Sequence, residues 1–417
     1  MNTRAFITLS IFILFCWLTS TPVLSDWVSL NGAENAPNIV EIHIFEDHVR
    51  VELEIFVGDI VTFDRLIPDE YLEDIDFKRP PLDVRMREFS REDFQILLDG
   101  GQRVTSRLKR FEARFRKERP SPNAGKLNPY TGQIIPGPPE DKRVLFVELE
   151  YPFSRRPSSL TIIPPLDENG ISKVPIGFIT YHEGVQVIDF RFLGQPTKLK
   201  LDWDDPWYSE FEAKSLKRWQ RGSVMSFLYI EPLEVRHEVL ARVKDLEAWL
   251  DLGLRGDEFI EPDENESLKK RIGEFILQQE KVTIDGKRLQ PILDRTAFVK
   301  YTMMGSTFLA QPERIPINTA MVGVIITYLT NEMPREVRVE WDLWSNRVQQ
   351  VPTDTIDPAG PFPSFVTPDD NVQVWNNYLK TYQAPSVVKI DLDESLTTMK
   401  VPLASLLCFL ALIPLGG

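Results

Sequence analysis

Cysteine and histidine are scarce in this sequence, and each shortage excludes a kind of site. The 417 residues contain two cysteines, Cys16 and Cys408, with none between them. The long interval between them can therefore form no internal disulfide, no thiolate zinc site and no cysteine nucleophile. Only four histidines are available as imidazole ligands or bases. We therefore expect domains that are large enough to be stabilised by their hydrophobic cores.

Basic charge is also in deficit. Sixty-two acidic residues outnumber 48 basic ones, which gives a formal net charge of -14. Binding to nucleic acid requires a basic face, so this balance argues against a nucleic-acid partner and against docking on an anionic membrane surface.

Motifs of common enzyme classes are missing as well. The sequence has no HExxH, paired CxxC, GxSxG, GxGxxG or GxxxxGK[ST] pattern. Serine, cysteine and zinc chemistry is therefore poorly supported by sequence. Carboxylates are abundant, but no pair can be placed at a catalytic separation from sequence alone. We expect no organic cofactor, and calcium is the one candidate metal ion.

The first 25 residues are predicted to be a secretory signal peptide. Arg4 supplies a charged start, residues 5–18 form an apolar stretch, and small residues precede Asp26. Export without disulfides is typical of a bacterial envelope protein with large domains rather than of small extracellular animal domains. We therefore predict an extracytoplasmic location, periplasmic or cell-envelope in a bacterium.

Residues 401–417 contain no charge and are predicted to begin a transmembrane helix that tethers the protein. Seventeen helical residues rise about 25 Å, slightly less than a hydrocarbon core of about 30 Å, so we expect the chain to continue beyond Gly417. The alternatives are a buried tail element and, in a eukaryotic source, a lipid-anchor signal.

One pattern occurs twice, 186 residues apart. Residues 49–66 read VRVELEIFVGDIVTFDRL, and residues 235–252 read VRHEVLARVKDLEAWLDL. The same offset relates Asp99-Gly100 to Asp285-Gly286, and later matches drift in offset where loops would absorb the difference. These later matches pair 147–151 with 324–328, 185–187 with 372–374, and 201–205 with 390–394. A period this long indicates a duplicated domain rather than a solenoid.

Each copy is predicted to be rich in β-strands. Residues 38–57 alternate polar and apolar side chains around a turn at Glu46-Asp47, and this predicts a hairpin with one core face. The predicted inward pairs are Val40 with Leu53, Ile42 with Val51, and Ile44 with Val49; the predicted outward pairs are Glu41 with Glu52 and His43 with Arg50. His237 takes the place of Val51 in the second copy and is predicted to face inward.

We therefore predict a mainly β fold with two tandem duplicated β-sandwich domains, similar in architecture to immunoglobulin and fibronectin domains. The predicted organisation is a signal peptide at 1–25, a first sandwich at 26–205, an interdomain joint at 206–227, a second sandwich at 228–400 with one short helix near 266–278, and the membrane segment at 401–417.

Each predicted sandwich ends with an acidic cluster that could bind calcium. Calcium takes six to eight oxygen ligands, and clustered carboxylates at a domain junction can supply them. The candidate ligands are Asp202, Asp204, Asp205, Asp391, Asp393 and Glu394. The alternative is a solvated strand end and linker.

Trp203, Trp207 and Tyr208 lie beside the first acidic cluster and are candidates for binding a glycan. Aromatic rings can cover the apolar face of a sugar. Because the segment lies where one domain meets the next, packing of the interdomain contact is the alternative.

The sequence predicts a non-catalytic, extracytoplasmic, membrane-tethered protein of the cell envelope that acts by binding or assembly. Its partner would be an unidentified protein or glycan, and the membrane would be reached through the C-terminal segment. The alternatives are the sensing or substrate-presenting part of a larger multi-span membrane protein and a carboxylate-based hydrolase. We expect function to lie where the copies differ, in the loop 117–142 and the tryptophan-rich joint.

Overall fold

A computed structural model describes residues 31–72, 78–129, 131–216, 222–302 and 305–378. The predicted signal peptide, the acidic residues Asp391, Asp393 and Glu394, and the predicted membrane segment lie outside the described residues. Within the described ranges, no helix combines the length and apolar character needed to cross a bilayer.

The first half of the described chain forms two sheets, which we call the first unit. Strands β5-β6-β2-β1-β8-β9 form the larger sheet and β11-β10-β7-β3-β4 the smaller one. The strands are β1 Asn38–Ile44, β2 His48–Phe56, β3 Gln95–Leu98, β4 Gln102–Val104, β5 Arg107–Phe115, β6 Arg143–Pro152, β7 Ser159–Ile163, β8 Ile176–His182, β9 Val185–Phe192, β10 Thr197–Lys200 and β11 Glu210–Phe211.

The second half forms the second unit. Its larger sheet has the order β17-β16-β19-β13-β12-β21-β22, its smaller sheet the order β15-β20-β23, and β14 pairs with β18. The strands are β12 Val224–Glu231, β13 Glu234–Arg242, β14 Phe259–Ile260, β15 Val282–Ile284, β16 Ile292–Thr302, β17 Gly305–Phe308, β18 Ile315–Pro316, β19 Met321–Leu329, β20 Glu336–Glu340, β21 Val351–Asp357, β22 Gly360–Val366 and β23 Val372–Asn376.

Helices are few and short. They are α1 Leu82–Glu88, which continues as a π-helical turn over Phe89–Asp93, α2 Val243–Leu246 and α3 Asn265–Gln279; short 3-10 segments occur at Ala33–Asn35, Val57–Leu66, Asp69–Tyr71, Pro206–Tyr208, Lys214–Leu216 and Ile317–Thr319. The prediction of a mainly β fold is therefore confirmed.

Helix α3 packs on β16 through an apolar stripe. Leu268, Ile272 and Ile276 recur every four residues, so they lie on one face, and all three are buried. Gly273 lies on the same side, where an added Cβ would meet Thr296 Oγ1 at 2.3 Å. A glycine is required because the helix approaches the strand so closely. The helix ends at Gln279, which places Glu280 at the edge of the core.

The hairpin at the start of the first unit has the predicted register. Val40 lies opposite Leu53, Ile42 opposite Val51, and Ile44 opposite Val49; the outward face pairs Glu41 with Glu52 and His43 with Arg50. All six apolar members of these pairs are buried. Alternation fixes the register because a slip of one residue would exchange the two faces of both strands.

Each unit has its own hydrophobic core between its two sheets. In the first unit, Val51 and Leu149 from the larger sheet pack in one cluster with Ile96 and Leu160 from the smaller sheet. In the second unit, the corresponding cluster joins Val239 and Val324 to Val337. A third, smaller cluster contains residues of both units and includes Trp207 and Leu240.

Six strands of the larger sheets have the same order, and β17 adds a seventh strand at one edge in the second unit. Strands β5-β6-β2-β1-β8-β9 correspond in sequence order to β16-β19-β13-β12-β21-β22, and the β1–β8 and β12–β21 pairs are both parallel. One match by sequence is wrong: residues 185–187 begin β9 in a larger sheet, whereas residues 372–374 lie in β23 of a smaller sheet. The shared Val-Gln-Val letters there do not mark equivalent strands.

Candidate functional site

The acidic residues after β10 lie at the contact between the two units. Asp205 accepts hydrogen bonds from Arg242 on both carboxylate oxygens, at 2.7 and 2.8 Å, and the Arg242 side chain is fully buried. Arg242 also donates to Asp245 at 3.3 Å, and the Tyr208 hydroxyl donates to Asp245 at 2.7 Å. Asp205 therefore already has a cationic partner from the other unit.

The other two predicted calcium ligands of this segment are close by. Asp202 accepts a hydrogen bond from Arg347 of the second unit at 2.7 Å and another from the Asp205 backbone amide at 2.9 Å. Burial raises the pKa of Asp202, but the bonds from Arg347 and from backbone amides lower it by more. Asp204 is exposed. Asp202 and Asp205 are thus bound to different arginines, the carboxylates of the three acids do not form a cluster of donor atoms within 4.8 Å, and calcium binding here stays a prediction.

The aromatic side chains predicted to bind a glycan are engaged in packing. Trp207 is buried against Met225 and Leu240 of the second unit, and the Arg242 guanidinium lies 5.0 Å from its ring centroid. Trp203 donates to the Pro157 carbonyl at 2.6 Å. These contacts favour the interdomain packing alternative, and no contact in the described residues tests sugar binding itself.

A serine, a histidine and a glutamate form a relay in the second core. Ser226 Oγ lies 2.9 Å from His237 Nε2, and His237 Nδ1 lies 2.9 Å from Glu280. The Tyr328 hydroxyl donates to the same carboxylate at 2.8 Å, and burial together with the charge of Glu280 raises the pKa of Tyr328. His237 faces inward, as predicted from its alignment with Val51. These distances match those of a nucleophile, a base and an orienting acid.

The relay has almost no room for a substrate. Ser226 and His237 are about 2 % and 1 % exposed. The cavity beside His237 and Glu280 has a volume of about 10 Å³, enough for roughly one water molecule. Ser226 also contacts Gln373 at 3.3 Å, and Gln373 donates to Thr355 at 2.7 Å. The geometry is that of a satisfied polar network within a closed core.

The outer face of the first unit's larger sheet carries a row of carboxylates. Glu52 lies directly opposite Glu41 on β1 and opposite Glu148 on β6. Burial raises the pKa of Glu52, Arg50 lowers it, and the neighbouring glutamates raise it further. His43, on the same face, stacks on Tyr181 with ring centroids 4.9 Å apart. We call Glu41, His43, Glu52 and Glu148 the charged row.

The loop predicted to carry function lies over one end of this face. Arg119 is nearly buried and bridges Glu54, at 2.7 Å, and Glu41, at 2.8 Å. Ser121 and the Pro136 carbonyl both accept hydrogen bonds from Asn35, so the loop is also attached to the start of the described chain. The loop is therefore an ordered wall beside the charged row.

The second unit has different side chains at the positions that correspond to the charged row. Phe227 corresponds to Glu41, Tyr229 to His43, and Ile325 to Glu148, and only Glu238 keeps the carboxylate of Glu52. Sequence alternation predicts the outward direction of Glu41, His43 and Glu52, but it does not bring β6 beside β2. The row and the Ser226–His237–Glu280 relay were missed because both depend on contacts between distant strands.

No protein-family model matches the chain, and no curated protein is similar to it in sequence.

Proposed function

We propose that this chain is a non-catalytic, membrane-tethered protein of the cell envelope, built from two tandem duplicated β-sandwich domains of immunoglobulin-like or fibronectin-like architecture. It acts by binding or assembly, and the charged row and the loop 117–142 of the first unit form its binding surface. One observation carries the proposal: the first unit has a partly exposed face of carboxylates and a histidine where the second has mostly aromatic and apolar side chains.

Shared turn chemistry supports the duplication. Asp99 and Asp285 both have positive φ, 43° and 49°, and both follow the first strand of a smaller sheet. The Asp99 carboxylate accepts bonds from the amides of Ser158 and Ser159, and the Asp285 carboxylate accepts bonds from those of Arg335 and Glu336. Together with the common strand order, this repeated detail favours descent of both units from one ancestor.

The buried contact between the units supports a structural role for the second unit, which would hold the first unit in place. Its outer face packs on Trp207 of the first unit and is held by Arg242, so this part of the surface is unavailable to a partner. The predicted signal peptide and the uncharged C-terminal segment of the sequence support attachment outside the cytoplasm. The same two sequence features are also compatible with the alternative, in which the chain is the sensing part of a multi-span membrane protein.

Fractionation of the full chain tests the tether. We expect the protein in the membrane fraction after alkaline washing, and release into the soluble fraction when residues 401–417 are removed. Equal fractionation of both forms would contradict a C-terminal anchor.

Site-specific photocrosslinking in the source cells tests the binding surface. A photoreactive amino acid at Lys117, which is well exposed beside the charged row, is expected to give adducts with one envelope component. The matched control is Arg338, which is similarly exposed on the smaller sheet of the second unit. Adducts of equal yield at both positions, or none at Lys117, would overturn the assignment of this face.

A serine hydrolase is the second candidate, and only the relay favours it. A fluorophosphonate probe would label Ser226 in a competent hydrolase and would fail to label the Ser226→Ala variant. Because the adjacent cavity holds about one water, we expect no labelling of the folded protein. Labelling that disappears in the Ser226→Ala variant would replace our proposal with this one.

A further inference from the structure

The charged row places like charges beside one another. Glu41, Glu52 and Glu148 occupy directly opposed positions on three adjacent strands. Like charges in opposed positions destabilise a sheet unless something neutralises them. Arg119 contacts Glu41 at 2.8 Å, and Arg50 contacts Glu52 at 3.3 Å. Both arginines contact Oε1 of their carboxylate, and a carboxylate has a second oxygen through which it can bind a cation.

His43 supplies a nitrogen donor to the same place. Its Nε2 atom is buried, has no hydrogen-bond partner among the described residues, and lies 3.9 Å from Glu52 Oε1. Burial, followed by the charge of Arg50, lowers the pKa of His43, and the charge of Glu41 opposes this in part. A neutral imidazole has a lone pair available for a metal ion. Stacking on Tyr181 fixes the orientation of the ring.

We propose that Glu41, His43 and Glu52 bind one divalent transition-metal ion of the zinc class. One donor atom from each residue lies within 4.8 Å of the other two. Zinc bonds of about 2.0–2.2 Å require donors about 3.4 Å apart, so side-chain rotation must bring these atoms together by roughly 1 Å. A mixed set of one imidazole and two carboxylates suits zinc, whereas calcium and magnesium prefer oxygen ligands alone.

The second unit provides an internal comparison. At the matching positions Phe227 and Tyr229 replace Glu41 and His43, and the remaining Glu238 is paired with Arg236 at 2.8 Å. Two of the three donors are therefore missing from the same scaffold. We expect one metal ion per chain, bound by the first unit, and this inference does not depend on the proposed envelope function.

Titration of the purified full chain with Zn²⁺, in competition with a chromophoric chelator, tests the site. We expect one ion per chain and an affinity at least tenfold weaker in the His43→Ala variant. The matched control is His48→Ala, which removes a neighbouring histidine outside the row and should leave the affinity unchanged. A Glu41→Gln variant, which keeps the side-chain size, should also weaken binding at least tenfold.

Substitution with Co²⁺ gives a second readout that does not depend on affinity alone. The bound ion should show visible absorption bands typical of low coordination number, and His43→Ala should abolish them. Circular dichroism shows whether each variant is folded. Equal Zn²⁺ affinity in wild-type protein and folded His43→Ala, or a Co²⁺ spectrum unchanged by that substitution, would overturn the proposal.

Discussion

The two larger sheets share their strand order, but different groups cover their outer faces. In the first unit, Glu54 is buried under the unit's own loop, where Arg119 binds it at 2.7 Å. At the matching position of the second unit, Leu240 is buried under Trp207 of the first unit. The outer face is thus covered by an ion pair within the unit in the first copy, and by the other unit in the second copy.

Buried histidines show the same divergence. His182 in the first unit contacts the Ser209 hydroxyl at 2.7 Å, whereas His237 in the second has both Ser226 and Glu280 as partners. Strand pattern and strand order are common to the two units, whereas these two buried histidines have different partners. We infer that the residues common to both units determine the fold, and that the side-chain partners found in only one unit determine the properties specific to that unit.

Removal of the Arg242 side chain should cause the largest loss of stability, because this residue attaches the second unit to the first. Arg242→Ala removes the buried cation shared by Asp205 and Asp245 and leaves Asp205 only the Lys244 ammonium, 3.6 Å away. Loss of one partner of a buried pair costs about 3–5 kcal/mol. Urea denaturation measures the free energy of unfolding. Arg236→Ala, which removes a partly exposed pair with Glu238, should cost less, about 1 kcal/mol. Equal losses would contradict a special role for the joint.

Protonation of His182 should make the stability of the first unit depend on pH. Burial, opposed in part by Asp202 and aided by Arg156, lowers the pKa of His182 to about 4 from a usual value of 6.5. The unfolded chain therefore binds a proton first as the pH falls, and the contribution of His182 to stability declines between pH 6.5 and 4. The expected decline is roughly 3 kcal/mol.

Denaturation curves at several pH values check this expectation. A His182→Gln variant, which cannot take up the proton, should lose less stability than the wild type over the same pH window. Parallel pH profiles of the two proteins would contradict the assignment to His182.

Replacement of His237 by the residue of the first unit should show that its partners are specific. His237→Val leaves Ser226 and Glu280 with fewer partners inside a closed core, and each buried polar group that loses its partner costs about 1–3 kcal/mol. Because Ser226 keeps Gln373 and Glu280 keeps Tyr328, the free energy of unfolding should fall by about 1–3 kcal/mol in total. A neutral effect would mean that the network is dispensable and that the two cores are interchangeable at this position.

The smallest effect should be the one shared by both units. Asp99→Ala and Asp285→Ala each remove a carboxylate that accepts hydrogen bonds from two backbone amides at an exposed turn. We expect each to cost about 1 kcal/mol, with the two values within about 0.5 kcal/mol of one another. Thermal or urea unfolding of both variants provides the measurement, and a clear inequality would count against equivalent turns.

Local pattern was sufficient to predict much of the β structure. The alternation in 38–57 gives the register of β1 with β2, and the predicted helix at 266–278 is observed at Asn265–Gln279. These features depend on neighbours in sequence, which a pattern can reveal. Strand β23 was matched to β9 by three shared letters because short apolar runs carry no information about which sheet they join.

The candidate site could not be predicted in the same way. His237 was expected to face inward, but its partner Glu280 lies 43 residues later, at the end of a helix. The charged row requires β6 to lie beside β2, although three strands, helix α1 and the loop 117–142 separate them in sequence. Side-chain direction is a local property, whereas the identity of a partner depends on the completed topology.

Parallel pairing of β1 with β8 has a consequence for the time at which each unit can fold. Asn38 lies opposite Ile176, and in the second unit Ser226 lies opposite Thr353, so each larger sheet closes only when most of its unit is present. Contacts between residues so distant in sequence slow folding, since the entropy of closing a long loop is lost before the contact forms. A nascent chain of this topology stays unfolded for longer than one built from hairpins alone.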